Sequence, residues 1–195
     1  MDKVIPVVVI KDINETIPIL EKLQTGGINC AEITFRTACA EDAIRLGVKT
    51  FPDMNIGAGT IVNSDQAKKA YDAGAKFLVS PGLSENVAVF AKSKNIPYFP
   101  GTVTPTEIMK ALELGINVVK FFPANVYGGL KAIKALSGPF PQLKFIPTGG
   151  VSAENLAEFL ECDKIYAVGG SWMMKGDVVA NCKKINEIIT RIAVK

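Results

Sequence analysis

Histidine is absent from the 195-residue chain. That absence removes every serine or cysteine mechanism that relies on an imidazole base, and every His-based metal site. Proton chemistry would have to come from Glu, Asp, Lys, Tyr or water, and no metal or other cofactor is expected. Cysteine is scarce: Cys30, Cys39, Cys162 and Cys182 contain no C-x-x-C pair, which predicts reduced, packed thiols. Neither sign of charge dominates, since 22 basic and 19 acidic side chains leave a net charge of +3. That balance argues against a nucleic-acid partner, and the basic residues read as single solvated charges. No apolar run approaches the roughly 20 residues of a membrane helix, and the N-terminal segment has no signal-peptide layout. A soluble, cytoplasmic protein with no membrane partner is the expectation.

Apolar residues make up 48% and charged residues 21%, a globular composition suited to one domain spanning residues 1–195. Short β-branched runs alternate with longer amphipathic ones. The strand candidates are VIPVVVI (4–10), CAEITF (30–35), NIGAGT (55–60), KFLVSP (76–81), PYFPGT (97–102), NVVKFFP (117–123), LKFIPTGG (143–150) and KIYAVGGS (164–171). Helical stretches such as DINETIPILEKLQT, NSDQAKKAYDA, TPTEIMKALEL and SAENLAEFLE lie between them. NSDQ, TPTE and SAEN are cap-like, and TPTE has the capping-box spacing. Eight strands, each followed by a helical segment and apolar on both faces, predict a parallel sheet covered by helices. An open doubly wound sheet fits the same pattern. The even spacing and the count of eight favour a (β/α)₈ barrel of minimal size, slightly under the usual lower bound of roughly 200 residues.

One lysine stands out. In GINVVKFFPAN (115–125), Lys120 is flanked by Val118, Val119, Phe121 and Phe122, although an unpaired ammonium is expensive to bury. An internal echo supplies its partner: GGINCAEITFR, AGAKFLVSPG and LGINVVKFFP each run from a helix-ending glycine into a strand. Counting five residues on from Gly27, Gly74 and Gly115 reaches Glu32, Val79 and Lys120, on strands two, four and six. Alternate strands of such a barrel share interior layers, so Glu32 and Lys120 are expected to meet inside. By period-two alternation Thr34 and Arg36 share the face of Glu32, with Arg36 about 13 Å nearer the carboxyl end of the barrel. Two readings of the pair follow. It is either a buried ion pair that fixes strand register, or a nucleophilic amine with a proton shuttle beside it. Burial disfavours the charged form of a lysine and frees the neutral amine to attack a carbonyl.

Two glycine-rich ends, PTGG (147–150) and VGGS (168–171), close strands seven and eight, where barrels of this class commonly bind phosphate. Glycines let backbone N–H groups approach phosphate oxygens. GAGT (57–60), SPG (80–82, with Pro81) and PGT (100–102) end strands three to five. Their small residues either relieve crowding at the mouth or leave room for a small ligand, with the Thr60 hydroxyl as a donor. Trp172 and Met173 read as packing of the last helix.

Taken in order, EITFRT, GAGT, SPG, KFFPA, GPFPQLKFIPTGG and GGSW closely resemble the bacterial 2-dehydro-3-deoxy-6-phosphogluconate aldolase family. Its members include bifunctional 4-hydroxy-2-oxoglutarate aldolases. The resemblance covers nearly the whole chain and implies a metal-independent Schiff-base aldolase, usually a homotrimer, acting on a phosphorylated 2-oxo acid. It implies Lys120 as the imine-forming amine and Glu32 as general acid/base. Arg36 and Thr60 would bind the substrate carboxylate, and Phe122 would pack beside the imine. Pro81 is carried over with the substrate-binding set, and Thr148, Gly149, Gly150, Gly170 and Ser171 would line the phosphate end. The chain departs from many members in starting almost at strand one, without the helix that covers their barrel floor, so a less closed floor is expected. Alternatives are a 2-dehydro-3-deoxy-6-phosphogalactonate aldolase, whose specialised members tend to lack the RT ending, a phosphate-binding barrel enzyme without a Schiff base, or a catalytically silent barrel.

Overall fold

A computed structural model of the protein describes residues 3–194. Strands β1 (Val4–Val8), β2 (Cys30–Thr34), β3 (Asn55–Gly59) and β4 (Leu78–Val79) are followed by β5 (Tyr98–Phe99), β6 (Val118–Phe121), β7 (Lys144–Pro147) and β8 (Val168–Gly170). Helices α1 (Thr16–Thr25), α2 (Ala40–Thr50), α3 (Ser64–Asp72) and α4 (Glu85–Ser93) follow the first four strands in turn. After the others come α5 (Pro105–Glu113), α6 (Gly129–Ser137), α7 (Leu156–Leu160) and α8 (Val178–Ala193). All pairings are parallel, in the order β5-β4-β3-β2-β1-β8 and β6-β7. Bridges Gly101–Lys120 and Thr148–Gly169 join the two sheets. The ring therefore closes as the (β/α)₈ barrel expected from the alternation, and the open doubly wound sheet is ruled out.

Strands β4 and β5 are shorter than the sequence suggested, at two residues each. Pro97 and Pro100 flank β5 and cannot donate to a ladder. Their carbonyls still accept, from Leu78 N–H and Lys120 N–H respectively, both at 2.8 Å. Two of the three expected caps form: Asn63 accepts from the Gln66 N–H, and Thr104 and Glu107 complete a capping box. SAEN behaves otherwise. Ser152 does not cap; its N–H donates to Asn155 Oδ1 at 2.8 Å, and Asn155 Nδ2 donates to the Gly150 carbonyl. That asparagine ties α7 to the loop after β7.

The repeated glycines share one local structure. Gly27, Gly74 and Gly115 all have positive φ (82°, 93° and 80°). At each, the glycine N–H reaches back three residues and the next N–H reaches back five, the paired bonds of a Schellman stop. Three helices thus end alike and launch β2, β4 and β6 in equivalent phase.

Period-two alternation and the registers Val7–Glu32, Glu32–Gly57 and Lys120–Ile146 put these side chains inside the ring. Lower down, Phe77, Phe99 and Tyr166 form a row of rings with centroids 6.0 and 6.1 Å apart. These rings fill the amino end of the barrel from within, which the sequence reading did not foresee. The expectation of a less closed floor concerns the segment before β1, where residues 1 and 2 lie outside the described residues. No helix among the described residues is long and apolar enough to cross a membrane.

Candidate active site

Lys120 and Glu32 meet inside the barrel, 88 residues apart in sequence. Lys120 Nζ lies 3.4 Å from Glu32 Oε1, and the two residues are only 5% and 2% exposed. The carboxylate has space because β3 carries glycine opposite it: a Cβ at Gly59 would overlap the Glu32 carboxyl group. The small residues of GAGT therefore do relieve crowding, and the group they accommodate is this acid. Phe122, two residues beyond Lys120 on the same face, sets its ring 5.2 Å from Nζ. A cation or iminium at Nζ would face its π-cloud. Thr34, one step up from Glu32 on the same face, has a fully buried hydroxyl with no hydrogen-bond partner in the described structure. Buried orphans of this kind mark positions where a water or ligand atom belongs.

A cavity of about 380 Å³ opens above the pair. Lys120, Phe122 and Arg36 form part of its wall. Arg36 is not a continuation of β2, as the alternation argument implied; its N–H turns back to the Thr34 carbonyl at 2.8 Å. The turn nevertheless brings its guanidinium to the mouth, where Nε donates to Thr60 Oγ1 at 2.9 Å. Thr60 is held at φ 56°, a left-handed conformation that costs a β-branched residue of order 1–3 kcal/mol. Strain at this position accompanies its use as an anchor: the hydroxyl fixes Arg36, whose remaining N–H groups stay available for a bidentate carboxylate.

The other wall is the glycine-rich one. Thr148, Gly149 and Gly150 follow β7, Gly170 ends β8 and Ser171 follows it, and all five line the cavity. Gly149 and Gly150 adopt φ 90° and 81°. A side chain at Gly150 would collide with Asn125, so glycine is required by both conformation and space. Pro81 falls elsewhere. It is exposed and outside the cavity wall, and its carbonyl instead presses on Gly101, where a Cβ would overlap it.

Other wall residues escaped sequence reading, Val151 after the paired glycines among them. Val7 and Val9 supply apolar wall from β1 and the residue after it. Trp172 lines the cavity, although its position next to α8 suggested packing alone; its indole N–H is buried beside Gly170 without a partner among the described residues. Lys175 reaches the wall from the turn after β8, and nothing in its local sequence signalled that. Among the described residues no group of three or more His, Cys, Asp or Glu side chains could hold a metal ion. The thiols take no part in this cavity, and burial pushes the Cys182 thiol up to about 11.

A buried amine beside a carboxylate can exchange a proton with it, attack a carbonyl and shed water. The arginine and the glycine-rich wall suit a ligand with an anionic group at each end. Comparison with known proteins agrees. The KDPG and KHG aldolase family matches residues 1–190. The KHG/KDPG aldolase of Escherichia coli K12 is 41% identical over 176 residues, covering 90% of this chain and 83% of that protein. Among solved structures, the Legionella pneumophila KDPG aldolase, with pyruvate captured as a covalent carbinolamine, superposes with TM-score 0.88 at 40% identity. That match covers 97% of this chain and 93% of the other. The 2-keto-3-deoxy-6-phosphogluconate aldolase of Zymomonas mobilis, solved with 3-phosphoglycerate, gives TM-score 0.89 at 39% identity over 93% and 90% of the two chains. On sequence and structure alike, this chain belongs to the KDPG and KHG aldolase family.

Proposed function

We propose that this protein is a lysine Schiff-base aldolase that cleaves 2-dehydro-3-deoxy-6-phosphogluconate to pyruvate and glyceraldehyde 3-phosphate. The observation that carries this reading is the buried Lys120–Glu32 pair at the base of a cavity walled by Arg36 on one side and paired glycines on the other. Glu32 accepts a proton from Lys120, and the neutral amine adds to the C2 ketone to give a carbinolamine. Glu32 returns the proton to the C2 hydroxyl, which leaves as water, and an iminium forms on Lys120. The carboxylate, through a bridging water, then takes the C4 hydroxyl proton. The C3–C4 bond breaks, its electron pair moves into the iminium, and the aldehyde departs. Protonation of the enamine at C3 and addition of water release pyruvate and restore the lysine. No step needs a cofactor.

Arg36, anchored by Thr60, binds the C1 carboxylate; Phe122 packs beside the iminium. Thr148, Gly149, Gly150, Gly170 and Ser171 receive the phosphate. Pro81 has no part in this reading. Binding two anionic ends while the centre reacts is how remote contacts raise the rate, by fixing the reacting carbon within reach of the nucleophile. The E. coli relative's name, KHG/KDPG aldolase, supports 4-hydroxy-2-oxoglutarate as a second substrate, cleaved to pyruvate and glyoxylate by the same steps. The family resemblance also supports one unit over residues 1–195, a homotrimer and a cytoplasmic location. Sedimentation equilibrium tests the trimer.

The deciding experiment is reduction with borohydride in the presence of pyruvate. An irreversible adduct mapped by mass spectrometry to Lys120, with loss of pyruvate-releasing activity, is expected. Full activity after that treatment would sink the reading.

A further inference from the structure

We propose that Lys175 makes this site selective for a phosphorylated substrate by pairing with the phosphate at the end of the cavity away from Lys120. The proposal rests on the aldolase reading above and adds a residue that lies in none of the motifs carrying the family resemblance.

The placement is built. Lys175 closes the short 3₁₀ turn Trp172–Met174 that follows Ser171. Its N–H donates to the Trp172 carbonyl at 3.2 Å. Its own carbonyl accepts from Asn181 Nδ2 at 2.7 Å, and the same amide donates to the Met173 carbonyl at 3.1 Å. An asparagine on α8 therefore pins the backbone on which this lysine stands. The side chain is treated differently: its ammonium makes no ion pair or hydrogen bond among the described residues, whereas Lys110 holds two carboxylates. An anchored backbone with an uncommitted cation, on the wall shared with Gly149, Gly150 and Ser171, is an arrangement for an anion that arrives.

Charge bookkeeping assigns the anion. Backbone N–H groups and the Ser171 hydroxyl orient phosphate oxygens but do not neutralise a dianion. Arg36 is tethered to Thr60 by Nε and serves the carboxylate, and Lys120 is consumed as the iminium. Lys175 is the cation left on the cavity wall for the phosphate, acting as a point charge on a flexible stem. An acid ending in a hydroxyl gains nothing from it, so the charge discriminates by ligand class.

Steady-state kinetics on the full chain at low ionic strength test this. Lys175→Met is expected to raise KM for 2-dehydro-3-deoxy-6-phosphogluconate about 5- to 10-fold, with kcat changed by no more than about twofold. The KM difference should shrink as salt screens the pair. Lys175→Arg, which keeps the charge, should stay near wild-type KM. Pyruvate carries no phosphate, so borohydride inactivation with pyruvate should proceed at the wild-type rate in both variants. An unchanged KM in Lys175→Met, or a loss of kcat and pyruvate trapping along with KM, overturns the proposal. If wild type traps pyruvate while KM ignores Lys175, only this proposal fails. If wild type traps no pyruvate, the aldolase reading falls and takes this one with it.

Discussion

Lys120 and Lys144 stand on neighbouring strands and, by alternation, on the same inward face, since Val118 pairs with Lys144 and Lys120 pairs with Ile146. They differ in depth by two residues of strand. Lys120 is 5% exposed and faces a carboxylate. Lys144 is partly exposed at the amino end of β7, and its ammonium donates to the Asp163 carbonyl. A carbonyl oxygen accepts a hydrogen bond but cannot take a proton, so that partner offers Lys144 no general base. Glu32 can accept a proton and return it. On the proposed reading the same functional group serves as a nucleophile in one place and as a solvated anchor in the other, and what changes is its neighbour and its access to water.

Substitution of the two lysines breaks or sharpens that contrast. Lys120→Ala is expected to abolish pyruvate release in a coupled assay, and Lys120→Arg to do the same because a guanidinium stays protonated. Turnover by either variant would erase the distinction. Next in size, Glu32→Gln keeps the shape but removes the proton acceptor. A fall in kcat of about 10²- to 10⁴-fold is expected, with slower borohydride trapping of pyruvate; near-normal kcat would mean that Lys120 needs no such neighbour. Arg36→Leu removes charge-assisted bonds worth about 1.5–3 kcal/mol, so kcat/KM should drop roughly 10- to 100-fold while Lys120 remains trappable. Lys144→Met should matter least, with turnover within about twofold of wild type and a melting temperature changed by only a few degrees, about what a loss under 1 kcal/mol produces. Peptide mapping completes the set: the reduced pyruvate adduct should appear on Lys120 and not on Lys144.

Much of this contrast could be read along the chain. Three equivalent Schellman glycines made a count of five sufficient to align Glu32 with Lys120, because a repeated helix stop sets the phase of the strand that follows. The Asn63 and Thr104 caps were legible for the same reason: each depends on residues within four positions of one another. SAEN was misread because its outcome depended on the Gly150 carbonyl, which the asparagine prefers to its own helix. Pro81 was carried over by motif, yet the structure turns it out to solvent. Trp172 was assigned to packing and in fact shares the cavity wall, and its buried N–H could not be anticipated from an apolar local sequence.

What the sequence by itself determined is what short-range covalent geometry controls: the order of strands and helices, which side chains alternate inward, and the chemical inventory without histidine. Tertiary structure alone decided which inward groups are dry, that Gly59 yields its space to the Glu32 carboxylate, that Thr60 is strained to hold Arg36, and that Lys175 comes to the cavity. Those outcomes depend on closing the ring, which sets distances between residues from distant strands. Alternation along one strand carries no information about them.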